Sequence, residues 1–201
     1  MLICYIIHYT KLTERRASLE RQLAECSFPY PVVWVIEYDR EVITAEQLTT
    51  YIALDFNSTR GVAANAIAHL KALEWVAQSG VNGLILEDDL IFGANFLEEL
   101  QTSICQLPND WDMAFLSEGC DLHAPNVSEG QLWYNVARSR CANCYLVRHS
   151  AAWKLWESIK PVREAIDHAY NEGIKQQFNV YWREPTIAWE GSKTGEFIKS
   201  T

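Results

Sequence analysis

A chain of 201 residues that is 49% hydrophobic has room for one globular domain with a substantial core. Its net charge of −9 argues against broad nucleic-acid or anionic-membrane partners, which an acidic surface repels, and leaves space only for a small basic pocket. No run of about 18 apolar residues occurs, so no membrane-spanning helix is expected. Met1 to Ile7 lacks the basic leader of a signal peptide and reads as a first core strand, which points to a cytoplasmic protein.

In chain order, residues 2–8 are the first strand and Leu12, Arg16, Leu19 and Leu23 mark one stripe of a first helix, with Thr13 as its N-cap. Pro29 and Pro31 end that helix, and Val32 to Ile36 form the second strand, closed by Glu37-Tyr38-Asp39. A short helix near 45–51 is expected, then a longer one over 61–78 with Gly80 at its stop. Leu84-Ile85-Leu86 follows as a strand with no polar face, hence buried on both sides. This β-α-β-α-β order predicts a parallel sheet with right-handed crossovers. Beyond it the pattern predicts a helix at 94–105, a strand at 112–116, a long substrate-holding loop over 118–132 and a strand at 144–147. Helices at 150–159 and 163–172 and short strands at 179–182 and 186–189 complete the chain. No internal repeat or second domain boundary is visible. The expectation is one domain over 1–201, with 1–92 as a nucleotide-binding half and 93–201 as an acceptor and catalytic half.

The chemistry concentrates in Glu87-Asp88-Asp89, set between Leu84-Ile85-Leu86 and Leu90-Ile91-Phe92. Unpaired carboxylates cannot sit inside a buried strand. They belong just past its C-terminal end, where open α/β sheets bind ligands. Alternation would turn Glu87 and Asp89 to one side and Asp88 to the other. Hard oxygen ligands at this spacing suit Mg2+ or Mn2+, with substrate phosphates completing the shell; the competing reading is a solvated acidic turn. The six cysteines, at 4, 26, 105, 120, 141 and 144, read as reduced structural thiols. Cys141-Ala-Asn-Cys144 has a zinc-like spacing but no second pair.

Several segments, in order, resemble glycosyltransferase family 25, the lipooligosaccharide and collagen β-galactosyltransferase family. Ile7-His8-Tyr9-Thr10-Lys11-Leu12-Thr13-Glu14-Arg15 is similar to its opening motif, with His8 in place of the usual Asn. Glu37-Tyr38-Asp39 resembles its acidic turn, and Gly61 to His69 its following helix, where Gly61 and His69 match while Val62, Ala64, Asn65 and Ala68 depart. Ile85-Leu86-Glu87-Asp88-Asp89 matches the central acidic motif unchanged. Tyr145-Leu146-Val147 with Ala151, Val162 to Asp167, and Pro185 with Glu190-Gly191-Ser192 resemble later segments.

The resemblance implies a single-domain, Rossmann-like nucleotide-sugar fold of the GT-A type, an α/β architecture with a mostly parallel central sheet flanked by helices. It implies a UDP-hexose donor, galactose or glucose, a glycan or other hydroxyl acceptor, and inverting chemistry. A divalent metal, Mn2+ or Mg2+, would sit at Asp89 assisted by Glu87. Lys11 and Arg15 would meet the phosphates or nucleotide, Asp39 the base or ribose, and Glu87 or Asp88 the ribose hydroxyls. Asp167 is the candidate general base, with Asp112 and Asp121 as fallbacks. His69 is expected to be hydrogen-bonded and structural, and Trp189 is the first sugar-stacking candidate among eight tryptophans. A non-catalytic nucleotide- or glycan-binding relative, a nucleotidyltransferase and a calcium-stabilised domain are the rival readings. An intact acidic motif opposes the first, the absence of glycine from His8 to Leu12 the second, and the few local oxygen ligands the third.

Overall fold

The apolar segments around the acidic turn become the centre of a seven-stranded sheet. In this computed structural model, which describes residues 1–175 and 178–197, the strands are β1 (Leu2–Ile7), β2 (Val32–Val35), β3 (Asn82–Glu87), β5 (Met113–Phe115), β6 (Trp133–Asn135), β7 (Cys144–Val147) and β8 (Val180–Arg183). Their spatial order is β2-β1-β3-β7-β5-β8-β6. The pairs β1–β2, β1–β3 and β5–β8 are parallel, and the pairs β7 makes with β3 and β5, and β6 with β8, are antiparallel. Five strands (β2, β1, β3, β5 and β8) therefore point one way, so the sheet is mostly parallel as expected. A separate antiparallel ribbon joins β4 (Leu90–Phe92) to β9 (Ala188–Glu190) at the end of β3.

Alternation along the strands sends side chains into two cores. On one face Tyr5, Ile7, Ile85, Tyr145 and Val147 pack under α3 (Arg60–Ser79), α5 (His149–Ile159) and α6 (Ile166–Ile174). On the other, Cys4, Ile6, Leu84, Leu86 and Leu146 meet Leu19 of α1 (Thr13–Glu25) and Phe96 and Leu100 of α4 (Phe96–Cys105). β3 contributes to both, which explains its unbroken hydrophobicity. α3 follows its sequence signals closely. Thr59 caps it by accepting from the Val62 amide, and Gly80 ends it with φ +66°, in the left-handed region.

Four expectations need correction. The first helix begins at Thr13 with Leu12 at the cap; of the Leu12–Arg16–Leu19–Leu23 stripe Leu19 is buried and Leu23 packs against the core, and Arg15 and Ser18 are buried beside them. A periodicity rule scores arginine as polar, yet Arg15 goes inside because carboxylates await it there. Arg16 instead lays its guanidinium 4.5 Å over the Trp34 ring. β6 and β4 are three-residue strands fixed only by distant partners, and α7 (Gly191–Thr194) is a single turn built on the acidic loop. α6 starts at Ile166, three residues later than expected. α2 (Ala45–Tyr51) matches, with a reciprocal capping box between Thr44 and Gln47. Among the described residues no helix is long and apolar enough to cross a membrane.

Candidate active site

The parallel strands β1, β2 and β3 end on the same side, and the loops there enclose a cleft of about 500 Å³, within the range of small-molecule sites. Its lining includes Tyr9, Asp39, Arg40, Gly61, Asn65, Glu87, Asp89, Asn143, Asp167 and Lys193. The acidic motif and the proposed base, 78 residues apart in sequence (167 − 89), thus share one cavity.

The three acidic residues do different work. Glu87 ends β3 facing α3, where Asn65 Nδ2 donates to Oε1 at 2.8 Å and His69 Nε2 lies 3.2 Å from the same oxygen. His69 Nδ1 is 3.0 Å from the Tyr145 hydroxyl, which lies 2.6 Å from that of Tyr170. With a neutral His69 ring, the chain is satisfied when Tyr170 donates to Tyr145, Tyr145 to His69 Nδ1, and His69 Nε2–H to Glu87. Burial disfavours the Glu87 charge, but bonds from His69 and Asn65 and the nearby Arg15 guanidinium outweigh it and hold its pKa below the usual carboxylate range. His69 has the hydrogen-bonded structural role expected of it. Asn65 and His69, four residues apart on α3, share one helix face; that spacing could have identified Asn65 in the sequence.

Asp88 turns the opposite way. Its Oδ2 accepts from His8 Nδ1 at 2.7 Å and from the Tyr9 amide at 3.3 Å, and its Oδ1 from Arg15 Nη1 at 3.1 Å. It is buried, lines the cleft, and clamps β1 and α1 to the turn. Arg15 is likewise buried between Asp88 and Asp89, 3.5 Å from Asp89 Oδ2. Asp89 shares Arg15 with Asp88 because it sits in the turn, where strand alternation no longer holds. Its backbone carbonyl accepts from the Gly191 amide at 2.7 Å. A Cβ on Gly191 would lie 2.8 Å from that carbonyl and 2.7 Å from the Phe197 ring. Asp89 Oδ1 is buried with no hydrogen-bond partner. Burial, and then the charge of Glu87, push the Asp89 carboxyl up to about 7.

Asp39 lines the cleft and receives the Thr10 amide at 3.1 Å and the Thr10 hydroxyl. Asp167 stands in the first turn of α6, on the wall shared with Ala165 and Ile166. Lys11 is not brought in: it is exposed and paired with Glu41 at 2.9 Å, outside the cleft lining. Tyr9 and Arg40, which the sequence did not single out, line the cleft near that position, with the guanidinium 4.7 Å over the Tyr9 ring. The fallback carboxylates lie elsewhere. Asp112 accepts from the Asn179 amide at the opposite end of β5, and Asp121 is exposed outside the lining. Trp189 is also displaced from its expected role, its ring packing against Gly93 in the β4–β9 ribbon. Trp133 and Trp182 are buried and donate their indole N–H groups to the Ser103 and Arg138 carbonyls. Of the 118–132 loop, Cys120 lines the cleft.

All six cysteines are free thiols, but only Cys4 and Cys144 are buried in the core; Cys105 and Cys120 are exposed. Cys144 points into the sheet core while Cys141 lines the cleft, so the CxxC pair does not converge on an ion. Among the described residues no group of three or more His, Cys, Asp or Glu side chains is arranged to hold a metal. The acidic turn nevertheless fits the sparser way Mg2+ and Mn2+ are held, by one or two carboxylates plus substrate phosphates and water. Its orphaned, buried Asp89 oxygen is the observation that matches.

Among solved structures the chain is similar to S. aureus TarS 1–349 in complex with UDP-GlcNAc, with a TM-score of 0.50, 13% identity, and coverage of 94% of this chain and 57% of that one. The chain has a glycosyltransferase fold. It spans a little over half the length of the TarS chain. Mouse xyloside xylosyltransferase 1 (TM-score 0.43, 12% identity, 87% and 68% covered) and a glycosyltransferase involved in glycosylation of the major capsid of PBCV-1 (0.41, 10%, 92% and 92%) are more distant matches. No family model matches the sequence, and neither does any curated protein.

Proposed function

We propose that this protein is a metal-dependent glycosyltransferase that moves a hexose from a UDP-sugar to a hydroxyl acceptor with inversion. One observation carries the reading: Asp89 Oδ1 is buried without a partner in a cleft at the C-terminal ends of three parallel strands, with Asp167 on the same cavity's lining. The resemblance to glycosyltransferase family 25 supports galactose or glucose as the transferred sugar, and the bound UDP-GlcNAc of TarS supports a nucleotide-sugar donor.

Asp89, assisted by Glu87, would hold Mn2+ or Mg2+. Bound there, the ion would neutralise charge developing on the departing diphosphate. Glu87 is suited to that work because His69 and Asn65 fix one oxygen and keep the group ionised. Asp88, Arg15 and His8 hold the turn in register with β1, so the carboxylates are positioned before substrate arrives. Asp39 is set to accept from the ribose or base, beside Tyr9 and Arg40. Asp167 would take the acceptor hydroxyl proton from the face opposite the leaving group, as inversion requires.

Calorimetry of UDP binding with Mn2+ tests the reading. Wild-type protein should bind UDP only with the metal, and EDTA or Asp89→Asn should abolish binding with the melting profile retained. Unchanged UDP binding in either case rejects the metal role. A protein that binds UDP and Mn2+ but never hydrolyses or transfers from any UDP-hexose is the non-catalytic relative.

A further inference from the structure

Cys120 and Cys141 come from different loops yet face each other on the cleft wall. The Cys141 thiol donates to Cys120 Sγ across 3.5 Å, and Lys193 Nζ lies 3.4 Å from Cys120 Sγ. Both residues adopt left-handed backbone, φ +52° and +59°. Between them the chains touch so closely that a Cβ on Gly119 would lie 2.7 Å from Cys141 Sγ and 2.9 Å from the Arg140 carbonyl. The sulfurs need only close from 3.5 Å to the bonded distance of about 2.05 Å. Neither residue has a place in the chemistry above, and Cys120 is exposed.

We propose that Cys120 and Cys141 form a redox modification site, which a peroxide converts to a Cys120–Cys141 disulfide and which ligand occupying the cleft protects. Cys120, the exposed sulfur, attacks one peroxide oxygen; the O–O bond breaks, Cys120 becomes a sulfenic acid and one water leaves. Cys141 then attacks the sulfenic sulfur, and its proton departs with the hydroxyl as the second water. Two thiols are thereby oxidised and one peroxide is reduced to two waters. Burial, and then the hydrogen bond with Cys120, push the Cys141 thiol up to about 12 against the opposing charge of Lys193. The closed ring runs from residue 120 to residue 141, through most of the 118–132 loop and β6, beside Lys193, which bridges Glu190 at 2.6 Å. Protection by ligand rests on the donor reading of the cleft.

The test uses the full reduced chain and hydrogen peroxide. Thiols titrated after unfolding should fall from six to four, the loss of one pair, and peptide mapping should join Cys120 to Cys141. Cys141→Ser should instead leave a sulfenic acid on Cys120 that dimedone captures. A count that stays at six, a link through Cys26 or Cys105, or the same two-thiol loss in Cys120→Ser overturns the assignment. UDP with Mn2+ should slow the oxidation about fivefold or more, the lower end of ordinary coupling between sites. Calorimetry on the reduced chain separates the two ideas. Absent UDP binding there refutes the donor reading, while the peptide map still judges the pair. Binding without slowing refutes the protection.

Discussion

Asp88 is the most informative single position, because its sequence role as a ribose ligand and its structural role as a buried clamp predict different outcomes on mutation. In Asp88→Asn the amide can replace only one of two acceptor oxygens. If Nδ2 faces Arg15, two donors oppose each other where a 3.1 Å charge-assisted bond stood. If it faces β1, the Tyr9 amide loses its acceptor, and the His8 ring must change tautomer. Either way the Arg15 guanidinium loses a charge partner in a buried site, and removing one member of a buried pair costs about 3–5 kcal/mol. Arg15 keeps Asp89 Oδ2 at 3.5 Å, which places the expected loss near the lower figure, about 3 kcal/mol. For a domain of this size that is a fall in Tm of about 6–12 °C, at 2–4 °C per kcal/mol. Thermal melting followed by circular dichroism reads it directly, with urea unfolding as the check. A variant melting within about 2 °C of wild type but binding UDP poorly would refute the clamp and restore Asp88 as a ligand contact.

Three further outcomes follow from the cleft. Asp167→Asn should lower turnover by about 10²–10⁴-fold with donor affinity nearly unchanged; wild-type turnover, or a product that retains the anomeric configuration, removes Asp167 as the base. The Asp89 carboxyl, held up near 7, must lose its proton before it can bind an ion. Mn2+-dependent UDP affinity, corrected for Mn2+ binding to free UDP, should therefore be full above pH 7 and fall about tenfold per pH unit below it; a flat profile from pH 8 to 5 contradicts this. Gly191→Ala should cost about 1–3 kcal/mol and weaken Mn2+–UDP binding, since the added methyl meets the Asp89 carbonyl, a backbone atom that moves only with its turn. An alanine variant with wild-type stability and affinity shows that the α7 turn does not position Asp89.

Much of the cleft was legible from local rules. An apolar strand followed by three carboxylates can only end at them, so the position of Glu87, Asp88 and Asp89 at the C-terminal end of β3 followed from desolvation cost alone. Thr59 and Gly80 bounded α3 by capping chemistry. Lys11 and Trp189 went astray because residue type and motif position say nothing about which way a side chain points. Lys11 found Glu41, thirty residues on, and Trp189 found Gly93 in a ribbon that no periodicity encodes.

Patterning by itself determined the α/β class, the two-sided burial of β3 and the placing of the three carboxylates at its C-terminal end, because each depends on neighbours within a turn or a strand. Only the tertiary structure decided the division of labour among the three carboxylates. Glu87 is bound by α3, Asp88 by β1 and α1, and Asp89 is left with a buried, unpartnered oxygen. It also decided the meeting of Cys120 with Cys141. A side chain's partner is set by long-range packing, and a buried charge takes the role that its partners leave open.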